Sequence, residues 1–166
     1  MAKLKNISLE KEQSLTLFPI ENKTTELSFT GEQIRSDGGL LLLREVDIQL
    51  GLTQGISDCI TDQRDARYID HTVREMISQR VFQIAAGYED CNDCNDLRGD
   101  AVFKTCAGRL LHSGKDLASQ PTMSRLENMV GNRDLFDIGE YFLEGFMRSY
   151  ATQPKMIMLD CDDTNS

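Results

Sequence analysis

The sequence predicts a mainly helical α+β fold, in which a helical domain with a small β element is followed by one further strand. Apolar residues recur at three- and four-residue spacing in several segments bounded by glycine or proline, a pattern that favours amphipathic helices. Residues 26–30 alternate between polar and apolar side chains, as a half-buried strand does. Near the end, Met156 to Leu159 form an apolar run that is typical of a strand covered on both faces.

The clearest predicted helix covers His71 to Ala86, with Asp70 as its N-cap and Gly87 as its stop. Its apolar side chains share one face: Val73, Met76, Ile77, Val81, Ile84 and Ala85. Its other face is polar: Arg74, Glu75, Gln79, Arg80 and Gln83. This separation predicts one buried and one polar side.

Four more helices are predicted. Leu40 to Leu50 ends at Gly51, a second helix runs from about residue 100 to 111, and a third has Pro121 in its first turn. The last helix covers about residues 134–150. Its apolar stripe comprises Leu135, Ile138, Phe142, Phe146 and Met147.

The chain is predicted to have three parts. Residues 1–25 show no sustained period and are expected to form a mobile leader. Residues 26–153 form the mostly helical domain, whose strand at 26–30 is expected to pair with residues 32–35. Residues 154–166 would open a second domain that the 166 residues do not complete, since one strand is not a stable unit.

Composition limits the function. The 166 residues carry 18 basic and 27 acidic side chains, a net charge of −9, which argues against a free-standing, non-specific nucleic-acid binder. The first 20 residues lack the apolar run of a secretory signal, and the five cysteines are an odd, scattered set. We therefore expect a cytoplasmic protein without a disulfide framework and without a membrane partner.

Three carboxylates follow the apolar run: Asp160, Asp162 and Asp163. Clustered carboxylates at a strand end need compensation by a cation, and Mg²⁺ is a common one. Three interpretations stay open on these residues alone. The first is a dehalogenase-like phosphatase, in which Asp160 is a nucleophile and Asp162 a general acid; the second is the first strand of a ribonuclease-H-like nuclease; the third is an ordinary acidic turn.

Three further blocks bear on this choice: residues 36–45 (SDGGLLLLRE), 79–90 (QRVFQIAAGYED) and 117–128 (LASQPTMSRLEN). Together with the LDCDDT that follows, they resemble the N-terminal part of DDE-type transposases of bacterial insertion sequences, the group numbered thirteen-eighty. The resemblance extends from about Leu27 to Thr164.

This resemblance implies a ribonuclease-H-like catalytic core, preceded by a helical region that binds transposon-end DNA. It places the first catalytic carboxylate among Asp160, Asp162 and Asp163, with Asp160 and Asp162 as ligands for Mg²⁺ or Mn²⁺. The second Asp and the Glu have no counterpart here. We therefore expect a truncated core and a chain that is inactive alone. The resemblance also implies association with the nucleoid when DNA is bound, and self-association of the chain.

Seven basic residues in or beside the predicted helices are candidates for contact with the DNA backbone. They are Arg74, Arg80, Lys104, Arg109, Lys115, Arg125 and Arg133. For any one of them, an ordinary solvated charge is the competing interpretation.

An alternative from another class is a non-catalytic DNA- or partner-binding protein that holds zinc. Its ligands would be Cys91, Cys94, Cys106 and His112, whose spacing is passable for a four-ligand site. Against zinc, the loop is rich in Asn and Asp, and Cys106 falls within an apolar helix.

Overall fold

The computed structural model describes residues 14–28, 37–110 and 114–158. These residues form a two-stranded sheet and seven α-helices, with a 3-10 turn at Ala66–Tyr68 between the second and third helices. The elements are β1 (Ser14–Ile20), β2 (Lys23–Ser28), α1 (Leu40–Leu50), α2 (Leu52–Asp58), α3 (Val73–Ala85), α4 (Asp93–Leu97), α5 (Ala101–Cys106), α6 (Gln120–Met129) and α7 (Asn132–Arg148).

The two strands form an antiparallel hairpin in which Ser14 lies opposite Ser28 and Ile20 opposite Lys23. The loop consists of Glu21 and Asn22, both with positive φ, at 46° and 63°. A two-residue hairpin loop of type I′ requires a positive φ at both of its residues. The prediction of a loose leader is thus wrong for residues 14–25, and β2 pairs with β1. The expected partner segment, residues 32–35, lies outside the described residues.

Hydrogen bonds dock the hairpin on α1. The Phe18 backbone N–H donates to Glu45 Oε2 at 2.8 Å, and Arg44 Nη1 donates to the Phe18 carbonyl at 3.1 Å and to Glu45 Oε1 at 2.9 Å. The β1 side chains Leu17 and Ile20 are buried. The sheet is therefore an integral part of the helical domain.

Helix ends follow the local sequence. The bounds of α1 are those predicted, with Gly51 at φ 69°, and Pro121 lies in the first turn of α6 as predicted. The N-cap of α3 is Thr72, not Asp70, because Thr72 and Glu75 form a reciprocal capping box. Helix α5 ends early, at Cys106, before the positive φ of Gly108.

The core consists of two apolar clusters, and α3 contributes to both. The first cluster comprises Leu40, Phe82, Val102, Phe103, Cys106, Ala107 and Leu117. The second comprises Ile60, Val73, Met76, Cys94, Ala118, Met123 and Leu126. The polar face predicted for α3 is partly wrong, because Gln79 and Gln83 are buried while Ile84 is exposed.

Helix α7 leaves much of its apolar stripe exposed. Ile138 packs against the second cluster, and Tyr141 donates a hydrogen bond to the Gly51 carbonyl at 2.9 Å. Four stripe residues are 43–57% exposed: Leu135, Phe142, Phe146 and Met147. Leu50 and Leu52 border part of this face, in a cleft that Phe142 and Phe146 also line, but the four side chains stay exposed in the described structure.

Met156, Ile157 and Met158, which the sequence predicted to begin a buried strand, are exposed and outside any strand. A strand needs a neighbour for its hydrogen bonds, and the hairpin supplies none here. Leu159 lies outside the described residues. None of the helices in the described ranges is long and apolar enough to cross a bilayer.

Candidate nucleic-acid interface

The three carboxylates predicted to be catalytic, Asp160, Asp162 and Asp163, lie outside the described residues. Within residues 14–28, 37–110 and 114–158, no group of three or more His, Cys, Asp or Glu side chains is arranged to hold a metal ion. The metal ligands Asp160 and Asp162 therefore stay a prediction from the sequence.

Where the structure describes them, the residues considered for zinc do not form one set: Cys91 and Cys94 are neighbours at the second cluster, but Cys106 lies in the first. Cys94 lies in the second cluster and its thiol donates to Gln83 Oε1 at 3.1 Å. Cys106 lies in the first cluster, where its thiol donates to the Leu40 carbonyl at 3.7 Å. His112 is outside the described residues. Because Cys94 and Cys106 belong to different clusters, the proposed four-ligand set is not supported.

Arg109 is a buried structural residue. Its guanidinium contacts Glu75 at 2.9 Å and donates to the backbone carbonyls of Asp116, at 2.7 Å, and Asp70, at 3.1 Å. Burial raises the pKa of Glu75, but the hydrogen bonds from Arg109 and Thr72 outweigh it and lower that pKa overall. This network ties the start of α3 to the segment that precedes α6.

Three more of the seven basic candidates form ion pairs. Lys104 is buried and lies 3.6 Å from an Asp116 carboxylate oxygen. Arg80 contacts Glu127 at 3.1 Å and donates to the Glu89 carbonyl at 2.9 Å. The exposed Arg133 pairs with Asp137, one turn along α7, at 3.0 Å. These contacts give each of the three side chains an intramolecular role.

The last three candidates are Arg74, Lys115 and Arg125, and all are exposed. None of them forms an ion pair within the described parts of the chain. Exposed cations without a protein partner are the ones whose charge is available to an external anion.

Arg125 and Lys115 line two clefts that adjoin on one surface of the protein. A cleft of about 570 Å³ is lined by Arg64, Asp65, Tyr68, Asp70, His71, Thr122, Arg125, Leu126 and Met129. A second cleft of about 260 Å³ is lined by Asp70, His71, Arg98, Arg109, Lys115, Asp116, Leu117 and Ser119. The clefts share Asp70 and His71, so they adjoin, and we call them together the basic groove. Arg74 lies elsewhere, in a cleft beside β1 and α1.

The groove has a charge balance opposite to that of the chain. Its lining includes the five cations Arg64, Arg98, Arg109, Lys115 and Arg125 and the three anions Asp65, Asp70 and Asp116. The whole chain has 18 basic and 27 acidic residues. Arg64 and Arg109 are paired with Asp62 and Glu75, and Arg98 lies 3.4 Å from Asp116, so the charge that the groove offers to a polyanion comes from Arg125 and Lys115.

Three groove residues were missed by the sequence analysis: Arg64, Tyr68 and Arg98. Arg64 forms a bidentate pair with Asp62, at 2.7 Å for each contact, and this pairing lowers the pKa of Asp62. Tyr68 is 81% exposed beside the Arg67 guanidinium. A charged turn could have been predicted from the close spacing of Asp62, Arg64, Asp65 and Arg67. Their spacing does not predict which surface of the protein the turn faces.

His71 lines both clefts and is half-buried where they meet. Burial, and then the charge of Arg109, lower its pKa below the ordinary 6.5. Arg109 Nη2 lies 3.0 Å from His71 Nδ1, and a guanidinium can only donate, so Nδ1 accepts. The imidazole is therefore neutral with its proton on Nε2, and it contributes no positive charge to the groove near pH 7.

A family model described as Transposase DDE domain group 1 matches residues 18–166. The match covers most of the chain, from β1 through α7 to the carboxylates after it, and the chain belongs to this transposase family. No curated protein and no solved structure matches it.

Proposed function

We propose that this chain is the N-terminal part of a DDE transposase of the bacterial insertion-sequence group numbered thirteen-eighty, and that its helical domain binds transposon-end DNA along the basic groove. Membership of the transposase family carries the proposal, since it supplies DNA as the partner. The groove supports it by offering exposed cations on an otherwise acidic surface.

The groove residues fit different parts of a DNA strand. Arg125 and Lys115 would contact phosphates, because both are exposed and lack an ion-pair partner in the described ranges. Tyr68, at the rim of the larger cleft, offers an aromatic face on which a base can stack. Arg109 would not touch DNA but would hold the walls of the groove in place through its backbone hydrogen bonds.

Catalysis would depend on a divalent metal ion held in part by Asp160 and Asp162, with Asp163 as the remaining candidate for the first catalytic carboxylate. Carboxylate oxygens suit Mg²⁺ or Mn²⁺, and such an ion activates the attacking oxygen and stabilises the leaving one. The second Asp and the Glu of the family's catalytic set have no counterpart in these 166 residues. The chain would act in the bacterial cytoplasm, on nucleoid DNA.

Fluorescence anisotropy tests the DNA contact. The probe is a labelled duplex copied from the terminal inverted repeat of the element that encodes the chain, with a shuffled duplex as competitor. The double variant Arg125→Glu, Lys115→Glu should bind at least about tenfold more weakly and lose about two units of salt-dependence slope. Arg133→Glu is the matched control, because Arg133 is exposed on α7 and lines neither cleft.

Equal affinity of the double variant and the parent chain would contradict the groove as the binding surface, provided that both melt at the same temperature. Catalysis is tested separately, by incubating the 166-residue chain with the same duplex and Mg²⁺ or Mn²⁺. We expect no nicking. Metal-dependent nicking that Asp160→Asn abolishes would contradict the predicted inactivity.

A further inference from the structure

Cys91 and Cys94 lie three residues apart, Cys91 in the turn that precedes α4 and Cys94 in the first turn of α4. The Cys94 backbone N–H donates to the Cys91 carbonyl at 3.2 Å, which closes the turn between them. Side chains three residues apart in such a turn are neighbours on one face, with Cβ atoms about 5–6 Å apart. Disulfides need a Cβ separation of about 4 Å, so a small adjustment of this turn brings the two sulfur atoms into bonding range.

The two thiols have unequal surroundings. Cys94 is fully buried and its thiol donates to Gln83 Oε1 at 3.1 Å. Cys91 is half-buried, packs against the second cluster, and points its thiol toward the Gln120 carbonyl at 3.9 Å. A small oxidant therefore reaches Cys91 first, while Cys94 is shielded behind it.

The remaining described cysteines are placed apart from this pair. Cys59 follows α2, and its thiol donates to the Gly55 carbonyl at 3.2 Å. Cys106 lies in the first cluster, where burial raises its pKa to about 12. Neither shares a turn or a cluster with Cys91 and Cys94, so these two form the one vicinal pair among the four cysteines that the structure describes.

We propose that Cys91 and Cys94 form a reversible dithiol–disulfide site that reacts with hydrogen peroxide. The Cys91 sulfur attacks one peroxide oxygen, the O–O bond breaks, water leaves, and Cys91 becomes a sulfenic acid. The Cys94 sulfur then attacks the Cys91 sulfur, an S–S bond forms, the S–O bond breaks, and a second water carries away the Cys94 proton. In total two thiols and one hydrogen peroxide give one disulfide and two waters.

The site has the properties of a reversible pair. Burial, and then the charge of Cys91, raise the pKa of Cys94 to about 11, so Cys94 is a protonated thiol near pH 7 and gives up its proton only in the second step. The disulfide would close a loop of only four residues, which constrains the unfolded chain less than a long loop does. A small dithiol should therefore reduce it again without unfolding the protein.

The test uses the full chain treated with dilute hydrogen peroxide, followed by alkylation and peptide mass mapping. We expect the peptide that contains both cysteines to lose two hydrogen atoms and both alkylation sites, and dithiothreitol to restore them. Cys59 should remain alkylatable throughout. Cys91→Ser and Cys94→Ser should each abolish the linked peptide, whereas Cys59→Ser should leave it unchanged.

Mapping of the parent chain needs no variant, so the result does not depend on whether Cys94→Ser folds. A linkage of Cys91 to Cys161 or to a second chain would overturn the proposal. So would an unchanged peptide under conditions in which Cys59 is oxidised. The outcome is independent of the DNA-binding experiment, because none of the residues that line the basic groove is a cysteine.

Discussion

Gln79 binds the backbone of Ala118 as a neighbouring strand would. Its Nε2 donates to the Ala118 carbonyl at 2.9 Å, and its Oε1 accepts from the Ala118 N–H at the same distance. Both residues are only 1% exposed. The pair joins α3 to the segment that leads into α6, where Leu117 belongs to the first cluster and Ala118 to the second. One side-chain amide thus satisfies the polar backbone of a segment that crosses the core.

Replacement of Gln79 by leucine should destabilise the fold by about 2–6 kcal/mol. Leucine has a similar volume but leaves the buried Ala118 N–H and carbonyl without partners, at about 1–3 kcal/mol for each group. Urea unfolding followed by circular dichroism measures the change. Gln63→Leu is the control, because Gln63 is exposed, and it should alter stability by less than about 0.5 kcal/mol. A similar small effect at both positions would contradict the role given to Gln79.

Gly55 is required by the ring of Tyr141. A Cβ at Gly55 would overlap the Tyr141 ring atoms Cζ and Cε2, and the Tyr141 hydroxyl is held by the Gly51 carbonyl. Gly55→Ala should therefore destabilise the chain by about 1–3 kcal/mol through overpacking. Gly139→Ala, in α7, should instead stabilise it by about 0.5–1 kcal/mol, because a Cβ there meets nothing within 4 Å and alanine favours a helix. Thermal melts of the two variants should shift in opposite directions.

Stability should fall as the pH drops through 6.5, and His71 should be the cause. Its folded-state pKa is below 6.5, mainly through burial and then Arg109, so the unfolded chain binds the proton more readily. Unfolding then takes up protons, and stability declines by at most about 1.4 kcal/mol per pH unit until the folded pKa is reached. His71→Asn should flatten this dependence between pH 6.5 and 5.

Urea unfolding across that pH range measures the effect, with His112→Asn as the control for the other histidine of the sequence. A slope that survives in His71→Asn would mean that another group titrates here. Loss of stability below about pH 4.5 is a separate event, since the lowered pKa values of Glu75 and Asp134 predict that their contributions disappear in that range.

The exposed face of α7 should tolerate polar substitution. Phe142 is 51% exposed, so Phe142→Gln should change stability by less than about 1 kcal/mol and should reduce the binding of a hydrophobic dye. Phe103→Ala, at a fully buried position, should cost about 3–5 kcal/mol. If both changes destabilise the chain equally, Phe142 is covered in solution.

Local signals in the sequence predicted much of the helical structure. Gly51 and Pro121 mark helix ends because their backbone preferences act within one turn. The hairpin was missed because Glu21 and Asn22 are a weaker turn signal than the glycine-containing pairs that usually mark such loops. Gln79 and Gln83 were assigned to a polar face because their hydrogen-bond partners lie outside α3. Gln79 binds Ala118, which is distant in sequence, and Gln83 binds Cys94, which lies beyond the end of the helix.

The candidate interface was only partly predictable for the same reason. Composition identifies a basic side chain but not its partner, and the partners of Arg109 and Lys104 come from separate segments. Arg125 and Lys115, two of the candidates for DNA contact, are exposed, whereas the adjoining position of their clefts depends on how α3 packs beside α6. Whether they contact DNA stays a prediction.

Arg109 complicates the interpretation of mutational screens. It holds the backbone of Asp70 and of Asp116, which both line the smaller cleft, and it also contacts His71. A screen that scores DNA retention alone would rank Arg109 with the phosphate contacts, although its loss would act by deforming the groove. Affinity losses at this position carry information about DNA recognition only when the melting temperature of each variant is measured beside them.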